Sequence, residues 1–136
     1  MLDVLLAHSY FLRYDQKQVE KMRPYPPLAT LYAASYLRSV GYSVALFDAM
    51  LATGEHEFEA ALATYAPRFV VLYEDNFNFL SKMCLTRMRE AACTMSQAAH
   101  RRGATVIASG SDVTDHPEIY LQHGTQYVIL GEPEHT

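Results

Sequence analysis

Short runs of β-branched or leucine-rich residues alternate with longer amphipathic runs along the whole chain. The short runs predict five β-strands, because buried strands read as almost continuous apolar segments of about four to eight residues. These strands lie at Leu2–Ala7, Ser43–Phe47, Phe69–Tyr73, Thr105–Ser109 and Tyr127–Leu130. The amphipathic runs predict helices at about Leu28–Val40, Glu55–Tyr65, Lys82–Arg102 and Pro117–Gln122.

Glycine and proline stand where these elements should end or begin. Gly41, Gly103 and Gly124 each follow a helix, at the position where a left-handed residue commonly ends one. Pro117 suits a first helical turn, and Thr114 or Asp115 is expected to cap that helix. Strands that are apolar on both faces imply a parallel sheet between helices, joined by right-handed crossovers. The pattern therefore predicts an open α/β fold of flavodoxin-like (Rossmann-like) type, with a parallel five-stranded sheet in the order 2-1-3-4-5 and helices on both faces.

Four irregular segments follow the first, third, fourth and fifth strands, and all of them lie at the carboxyl edge of such a sheet. The longest, residues 8–27, is rich in Tyr and Pro, and a loop of that length inside a compact domain is usually functional. It follows the first strand and therefore lies over the switch point between strands one and three. The others are residues 74–79, 110–116 and 131–134. Their convergence predicts a ligand site at this edge.

Composition and charge narrow the class of protein. The 136 residues suit a single domain, residues 1–136, and a chain that is half hydrophobic and 19% charged is typical of soluble globular proteins. The formal net charge of −4 and the lack of clustered Lys and Arg argue against a nucleic-acid surface. The first apolar run is too short for a membrane span and lacks the features of a signal peptide, so we expect a cytoplasmic protein.

Motifs for catalysis, phosphate binding and metal binding are missing. The loop after strand one has no glycine, which disfavours a dinucleotide or Walker-type phosphate site. A phospho-receiver domain would need an acidic pair where Ala7 and His8 stand. There is no Gly-x-Ser-x-Gly turn, and His116 and His123 have no cysteine or carboxylate cluster at ligand spacing. We therefore expect neither catalytic residues nor protein ligands to a metal.

A large and mostly apolar ligand fits these loops better. Gly110 and Gly131 would let the backbone approach a ligand closely, and Ser111 and Thr114 would provide hydroxyl donors. Each of these residues, taken singly, is explained equally well by a turn or a helix cap. Taken together, they favour a binding site.

Three segments resemble the cobalamin-binding domain at the N-terminus of radical S-adenosylmethionine proteins. Residues 23–41 include Pro-Pro-Leu-Ala-Thr-Leu-Tyr-Ala-Ala-Ser-Tyr-Leu-Arg-Ser-Val-Gly, which is similar to that family's opening of the first helix. Residues 106–118, which include Ser-Gly-Ser-Asp-Val-Thr-Asp-His-Pro-Glu, are similar to its Gly-Gly/Pro-His-x-Thr/Ser…Pro-Glu run after strand four. Residues 127–134, Tyr-Val-Ile-Leu-Gly-Glu-Pro-Glu, are similar to its terminal Asp-x-Val-x-Gly-Glu-Gly-Glu. The resemblance covers essentially the whole chain.

The chain also departs from that family's pattern. Asp112 stands where the family usually has His, and Pro133 replaces the second Gly of the terminal motif. The Asp-x-His-x-x-Gly run that provides a lower axial His in cobalamin-dependent mutases is missing. The resemblance therefore implies base-off cobalamin without a His from that motif.

The resemblance also implies where the cofactor would lie. The corrin would rest against the loops after strands one and three, where Tyr10, Tyr25 and Asn76 would face it. The nucleotide tail would run between the loops after strands four and five. The cofactor-binding residues expected in this way are Ser9, Tyr10, Tyr25, Asn76, Gly110, Ser111, Asp112, Thr114, Gly131 and Glu132.

The reactions of that family belong to a second domain, whose Cys-x-x-x-Cys-x-x-Cys motif binds a [4Fe-4S] cluster next to S-adenosylmethionine. This chain has no such motif, and it stops after strand five, where the fold normally adds a helix. We expect a fragment of a methyltransferase or oxidative cyclase with a radical S-adenosylmethionine domain downstream, not catalytic alone. The alternatives are an interaction or regulatory α/β module that has lost cobalamin binding and a small nucleotide- or sugar-binding enzyme.

Overall fold

The structure is a computed structural model, and it describes residues 2–11, 27–74 and 82–131, with side chains in the last range from residue 86 onward. The strands are β1 Val4–Ala7, β2 Val44–Phe47, β3 Phe69–Tyr73, β4 Thr105–Ser109 and β5 Tyr127–Ile129. The helices are α1 Leu28–Ser39, α2 Glu55–Tyr65, α3 Lys82–Arg101, α4 Ser111–Asp115 and α5 Pro117–Leu121, with a 3₁₀ turn at Ala49–Leu51.

The five strands form one parallel sheet in the order β2-β1-β3-β4-β5. Val4 of β1 lies level with Val44 of β2 on one side and with Phe69 of β3 on the other. Phe69 in turn lies level with Thr105 of β4. The predicted flavodoxin-like fold is confirmed, and the chain changes direction across the sheet between β1 and β3. Ligands of such folds bind outside the carboxyl ends of the strands at this switch point.

Alternate residues of the strands pack into two hydrophobic layers. Leu5 and Val70 are fully buried in the larger layer, which α2 and α3 cover with side chains such as Phe58 and Met95. Val4, Leu6 and Val44 form the smaller layer on the other face with Ala34 of α1. Burying one such aliphatic side chain stabilises the fold by about 1.5–3 kcal/mol, so the two layers hold the central strands in place. Within the described ranges, no helix is long and apolar enough to cross a membrane.

The glycines that were expected to end helices adopt the left-handed region, with φ of 103° at Gly41, 85° at Gly103 and 96° at Gly124. Gly124 also has a steric reason to be glycine, because a Cβ there would lie 3.0 Å from the backbone oxygen of Ser96. A side chain at this position would collide with α3. The local signals at these helix ends therefore agree with the tertiary structure.

One predicted element differs from the structure. The predicted helix Pro117–Gln122 corresponds to α5, but residues Ser111–Asp115, which were predicted to be irregular, form the additional short helix α4, and His116 separates the two. His116 has φ −134° and ψ 53°, since the residue before a proline is driven out of the helical region. The prediction that Thr114 or Asp115 caps α5 is wrong, because α5 begins after His116 and has no side-chain cap.

Candidate functional site

Polar residues follow β1, β3 and β4 directly at the carboxyl edge of the sheet. Ser9 comes two residues after β1, and Glu74 is the first residue after β3. The Glu74 backbone N–H donates to the Ser109 carbonyl at 2.9 Å, which extends the pairing of β3 and β4 by one residue. The Glu74 side chain lies at the switch point, where it contacts Ser9 just after the end of β1.

Glu74 is buried, with only 5% of its surface exposed. Its Oε2 accepts hydrogen bonds from the Ser9 backbone N–H at 3.1 Å and the Ser9 hydroxyl at 2.8 Å. Its Oε1 has no hydrogen-bond partner among residues 2–11, 27–74 and 82–131. Burial raises the pKa of Glu74 to about 7 against the opposing effect of the two Ser9 bonds, and the nearby Asp112 carboxylate raises it further. This carboxyl therefore changes charge near neutral pH.

Ser109 provides a second buried polar atom at the same edge. Its hydroxyl has no partner in the part of the chain that the structure describes, and 1% of the residue is exposed. Ser109 lies level with Tyr73, so its side chain projects from the face that Tyr73 occupies. Buried polar atoms in native proteins are nearly always hydrogen-bonded, so the Ser109 hydroxyl is available to a group that binds at this edge.

His8 links the end of β1 to the turn after β2. Its Nε2 lies 2.8 Å from Asp48 Oδ1, and its Nδ1 accepts the Tyr10 backbone N–H at 3.2 Å. Because Nδ1 is an acceptor, the ring proton is on Nε2, where it is donated to Asp48. Asp48 Oδ1 also accepts the Met50 backbone N–H at 3.1 Å, which begins the 3₁₀ turn. Both ring nitrogens of His8 are engaged within the fold.

Asp112 belongs to a partly buried ion pair. Arg89 Nε donates to Oδ2 at 2.8 Å and Nη2 donates to Oδ1 at 2.7 Å, which is the two-point geometry that makes such pairs strong. The Tyr120 hydroxyl donates to Oδ2 at 2.8 Å. Burial opposes ionisation of Asp112, but the bonds from Arg89 and Tyr120 outweigh it and lower its pKa. These three side chains fasten α3, α4 and α5 together.

The Thr114 hydroxyl joins the loops after β4 and β5. It donates to the Gly110 carbonyl at 3.0 Å and accepts the Gly131 backbone N–H at 3.1 Å. Gly110 has φ 136° and is the residue before α4, and Gly131 has φ 77°. A Cβ at Gly131 would meet no atom of the described residues within 4 Å, so among those residues this backbone has space beside it.

The structure thus brings the expected residues into two groups. Ser9 lies on Glu74 at the switch point, and Gly110, Thr114 and Gly131 bond to one another between β4 and β5. Three expected residues, Tyr25, Asn76 and Glu132, lie outside the described ranges.

The remaining expected residues differ in exposure. Tyr10 is buried with 3% of its surface exposed, and Ser111 is exposed in the first turn of α4. The Asp112 side chain is 8% exposed and its carboxylate is occupied by Arg89 and Tyr120. The pattern of the sequence did not indicate that pairing, since Arg89 lies 23 residues away.

Sequence reasoning missed Glu74, although one signal was present. Glu74 directly follows the apolar strand β3, at the edge of the sheet where ligands of such folds bind. Among the described residues, no group of three or more His, Cys, Asp or Glu side chains is arranged to hold a metal ion. Burial also raises the pKa of the Cys93 thiol on α3, which favours the uncharged form.

Comparison with known proteins does not name a family. No protein-family model matches the chain, and no curated protein matches it significantly.

Proposed function

We propose that this chain is a cofactor-binding module whose ligand binds at the carboxyl edge of the sheet, beside the β1–β3 switch point. The observation that carries this proposal is the buried Glu74 carboxyl, which Ser9 holds by one oxygen while Oε1 has no partner in the described structure. An unpaired buried polar group costs about 1–3 kcal/mol. A ligand that donates a hydrogen bond at this position would recover that free energy.

The proposed ligand is cobalamin. The sequence motifs after β4 and β5 support this class, and so does the chemistry of the ligand, because a corrin is a broad apolar ring whose rim carries carboxamide groups. The N–H groups of a carboxamide could donate a hydrogen bond to Glu74 Oε1, which has no donor among the described residues. The space beside Gly131 is compatible with a ligand chain that passes close to the backbone.

Other residues of this chain limit how the cofactor would be held. Ser9, Asp112 and Thr114 bond within the fold, so they would position the loops and not contact the ligand directly. Both ring nitrogens of His8 are engaged, so we do not propose it as a ligand to cobalt. The groups that remain for direct contact are the Glu74 carboxyl and the backbone at Gly110 and Gly131.

The motif resemblance also supports a proposal about the parent protein. We infer a cytoplasmic radical S-adenosylmethionine enzyme in which this module binds cobalamin and a downstream domain binds the [4Fe-4S] cluster and S-adenosylmethionine. Sequencing beyond the codon for Thr136 tests this. A Cys-x-x-x-Cys-x-x-Cys motif would support the assignment, and an open reading frame without one would contradict it.

Retention of the cofactor tests the binding proposal. Purified protein is incubated with micromolar hydroxocobalamin at pH 8 and passed through a gel-filtration column. We expect the corrin absorption spectrum to elute with the protein. The Glu74→Ala variant should lose it, whereas the control Glu59→Ala, which removes an exposed carboxylate paired with Arg101, should retain it. Elution of all corrin in the small-molecule volume for the unmodified protein would contradict the proposal.

A second candidate, an interaction or regulatory module without cobalamin, is favoured by one observation. The Asp112 and Thr114 side chains, which the resemblance assigns to cofactor binding, bond to other parts of the chain. Substitution of Tyr25 and of Gly110 distinguishes the cofactor-binding module from the interaction module. Loss of corrin binding with unchanged folding supports the cofactor module, and loss of a protein partner supports the interaction module.

A further inference from the structure

We propose that Glu74 determines which ligands this edge accepts, by binding an N–H donor of the ligand as a carboxylate and by rejecting ligands that present an anion there. This inference rests on the proposed function and names the ligand chemistry that the site selects. The donor is a primary carboxamide or an ammonium group.

The hydrogen bonds that Glu74 accepts from Ser9 determine which of its two carboxyl oxygens is available to a ligand. Ser9 donates twice to the same oxygen, Oε2, from its backbone and from its hydroxyl. Two donors on one oxygen hold the carboxyl in one orientation, since both would be lost if the group turned. Oε1 is therefore held in place as an acceptor, and an acceptor that is ordered before binding loses less entropy when the ligand arrives.

The charges around Glu74 come from several elements, and they favour the same class of ligand. Arg89 on α3 directs its guanidinium to Asp112 on α4, which also receives the Tyr120 hydroxyl from α5. The Asp112 carboxylate acts on Glu74 by repulsion, and Cys93 on α3 is a neutral thiol near both. In the described part of the chain, no cation forms an ion pair with Glu74. A phosphate or carboxylate would therefore meet two acidic groups without a free cation between them.

Binding of an N–H donor must then be linked to a proton. Burial raises the pKa of Glu74 to about 7, so the free protein holds a proton there below neutral pH. A ligand that donates to the carboxylate favours the ionised form and lowers this pKa, so binding releases the proton. The ionised fraction rises about tenfold between pH 6 and pH 8 for a pKa of about 7, and the affinity should rise by the same factor.

The experiment measures hydroxocobalamin binding by titration calorimetry at pH 6, 7 and 8, in buffers with different heats of ionisation. The heats in different buffers report the number of protons released. The unmodified protein is compared with Glu74→Gln, which is almost isosteric, and with the control Glu59→Gln on α2. Urea unfolding of each variant checks that the fold is intact.

We expect about tenfold tighter binding at pH 8 than at pH 6 for the unmodified protein and for Glu59→Gln, with proton release at pH 6 and pH 7. Glu74→Gln should bind weakly and equally at every pH, because an amide does not ionise and its NH₂ would take the place of the acceptor. Binding that is independent of pH and unaffected by Glu74→Gln overturns this inference and leaves the proposed function standing.

Two other outcomes of the titration would also overturn the inference, each for a different reason. Tighter binding at pH 6, with proton uptake, overturns the inference because it shows that Glu74 acts as a protonated donor to a ligand acceptor. Absence of binding by folded protein at every pH overturns the proposed function and this inference with it.

Discussion

The buried Glu74 carboxyl makes a testable contribution to stability that depends on pH. Its pKa is about 7 in the folded protein and 4.5 when exposed, so the folded state keeps a proton that the unfolded state has lost between these values. Wherever the folded state binds more protons, the free energy of unfolding falls as the pH rises. The protein should therefore lose stability from about pH 4.5 to pH 7 through this group and stay level above pH 7.

The size of the effect follows from the pKa difference. One pKa unit corresponds to about 1.4 kcal/mol, so the full loss is about 3 kcal/mol, and between pH 5 and pH 8 it is about 2.5 kcal/mol. Glu74→Gln removes the ionisation while its amide oxygen can still accept both Ser9 bonds. Relative to the unmodified protein, the variant should therefore gain about 2.5 kcal/mol between pH 5 and pH 8. For a domain of this size that gain corresponds to about 8 °C in Tm.

Urea unfolding at pH 5, 6, 7 and 8 measures this difference directly. The quantity to compare is the free energy of unfolding of Glu74→Gln minus that of the unmodified protein, because ionisations elsewhere cancel when the sites are independent. Glu59→Gln, at an exposed carboxylate, should show a difference that changes by less than about 0.5 kcal/mol. A Glu74→Gln difference that stays constant from pH 5 to pH 8 would refute the reasoning, since Glu74 would then titrate alike in both states.

Two further predictions concern the polar contacts that hold the edge together. Asp112→Asn should lower the free energy of unfolding by about 2 kcal/mol in urea titrations, because Arg89 and the Tyr120 hydroxyl lose their charged acceptor at a partly buried site. Asp115→Asn on the same helix, at an exposed site, should change it by less than about 0.5 kcal/mol, and equal effects would contradict the role of the ion pair. Thr114→Val should cost about 1 kcal/mol and speed hydrogen exchange at the Gly131 amide, measured by NMR, and unchanged exchange would show that the Thr114 hydroxyl does not hold that loop.

Local patterns in the sequence were sufficient to predict the strands of the fold. Each strand is an apolar run, and each run corresponds to a strand of the structure at almost the predicted bounds. The order 2-1-3-4-5 is a common one for five such βα units, and the right-handed crossovers decide which face each helix covers. The start of α5 at Pro117 was predicted from the proline, whereas the short helix α4 at Ser111–Asp115 was not, because that segment was predicted to be irregular.

The sequence predicted where the candidate site lies, but not which side chains are available in it. Parallel strands direct the loops after them to one edge, so the positions of Ser9, Gly110 and Gly131 followed from the topology. The topology did not determine which of these side chains are available to a ligand. Asp112 was expected to face a ligand, but in the structure it faces Arg89, a residue on a different helix.

The sequence by itself therefore determined the strands, the helices and hence the fold class, since these depend on the periodicity of nearby residues, and the usual topology of that class gave the strand order and the edge that carries the loops. The tertiary structure decided the partners of the polar groups, because a hydrogen bond depends on distances between residues that are far apart in the chain. Ser9 and Glu74 are separated by 65 positions, yet their side chains lie 2.8 Å apart. Burial raises the pKa of Glu74 to about 7 against the opposing effect of that contact, and Glu74 is the residue on which the proposed function depends.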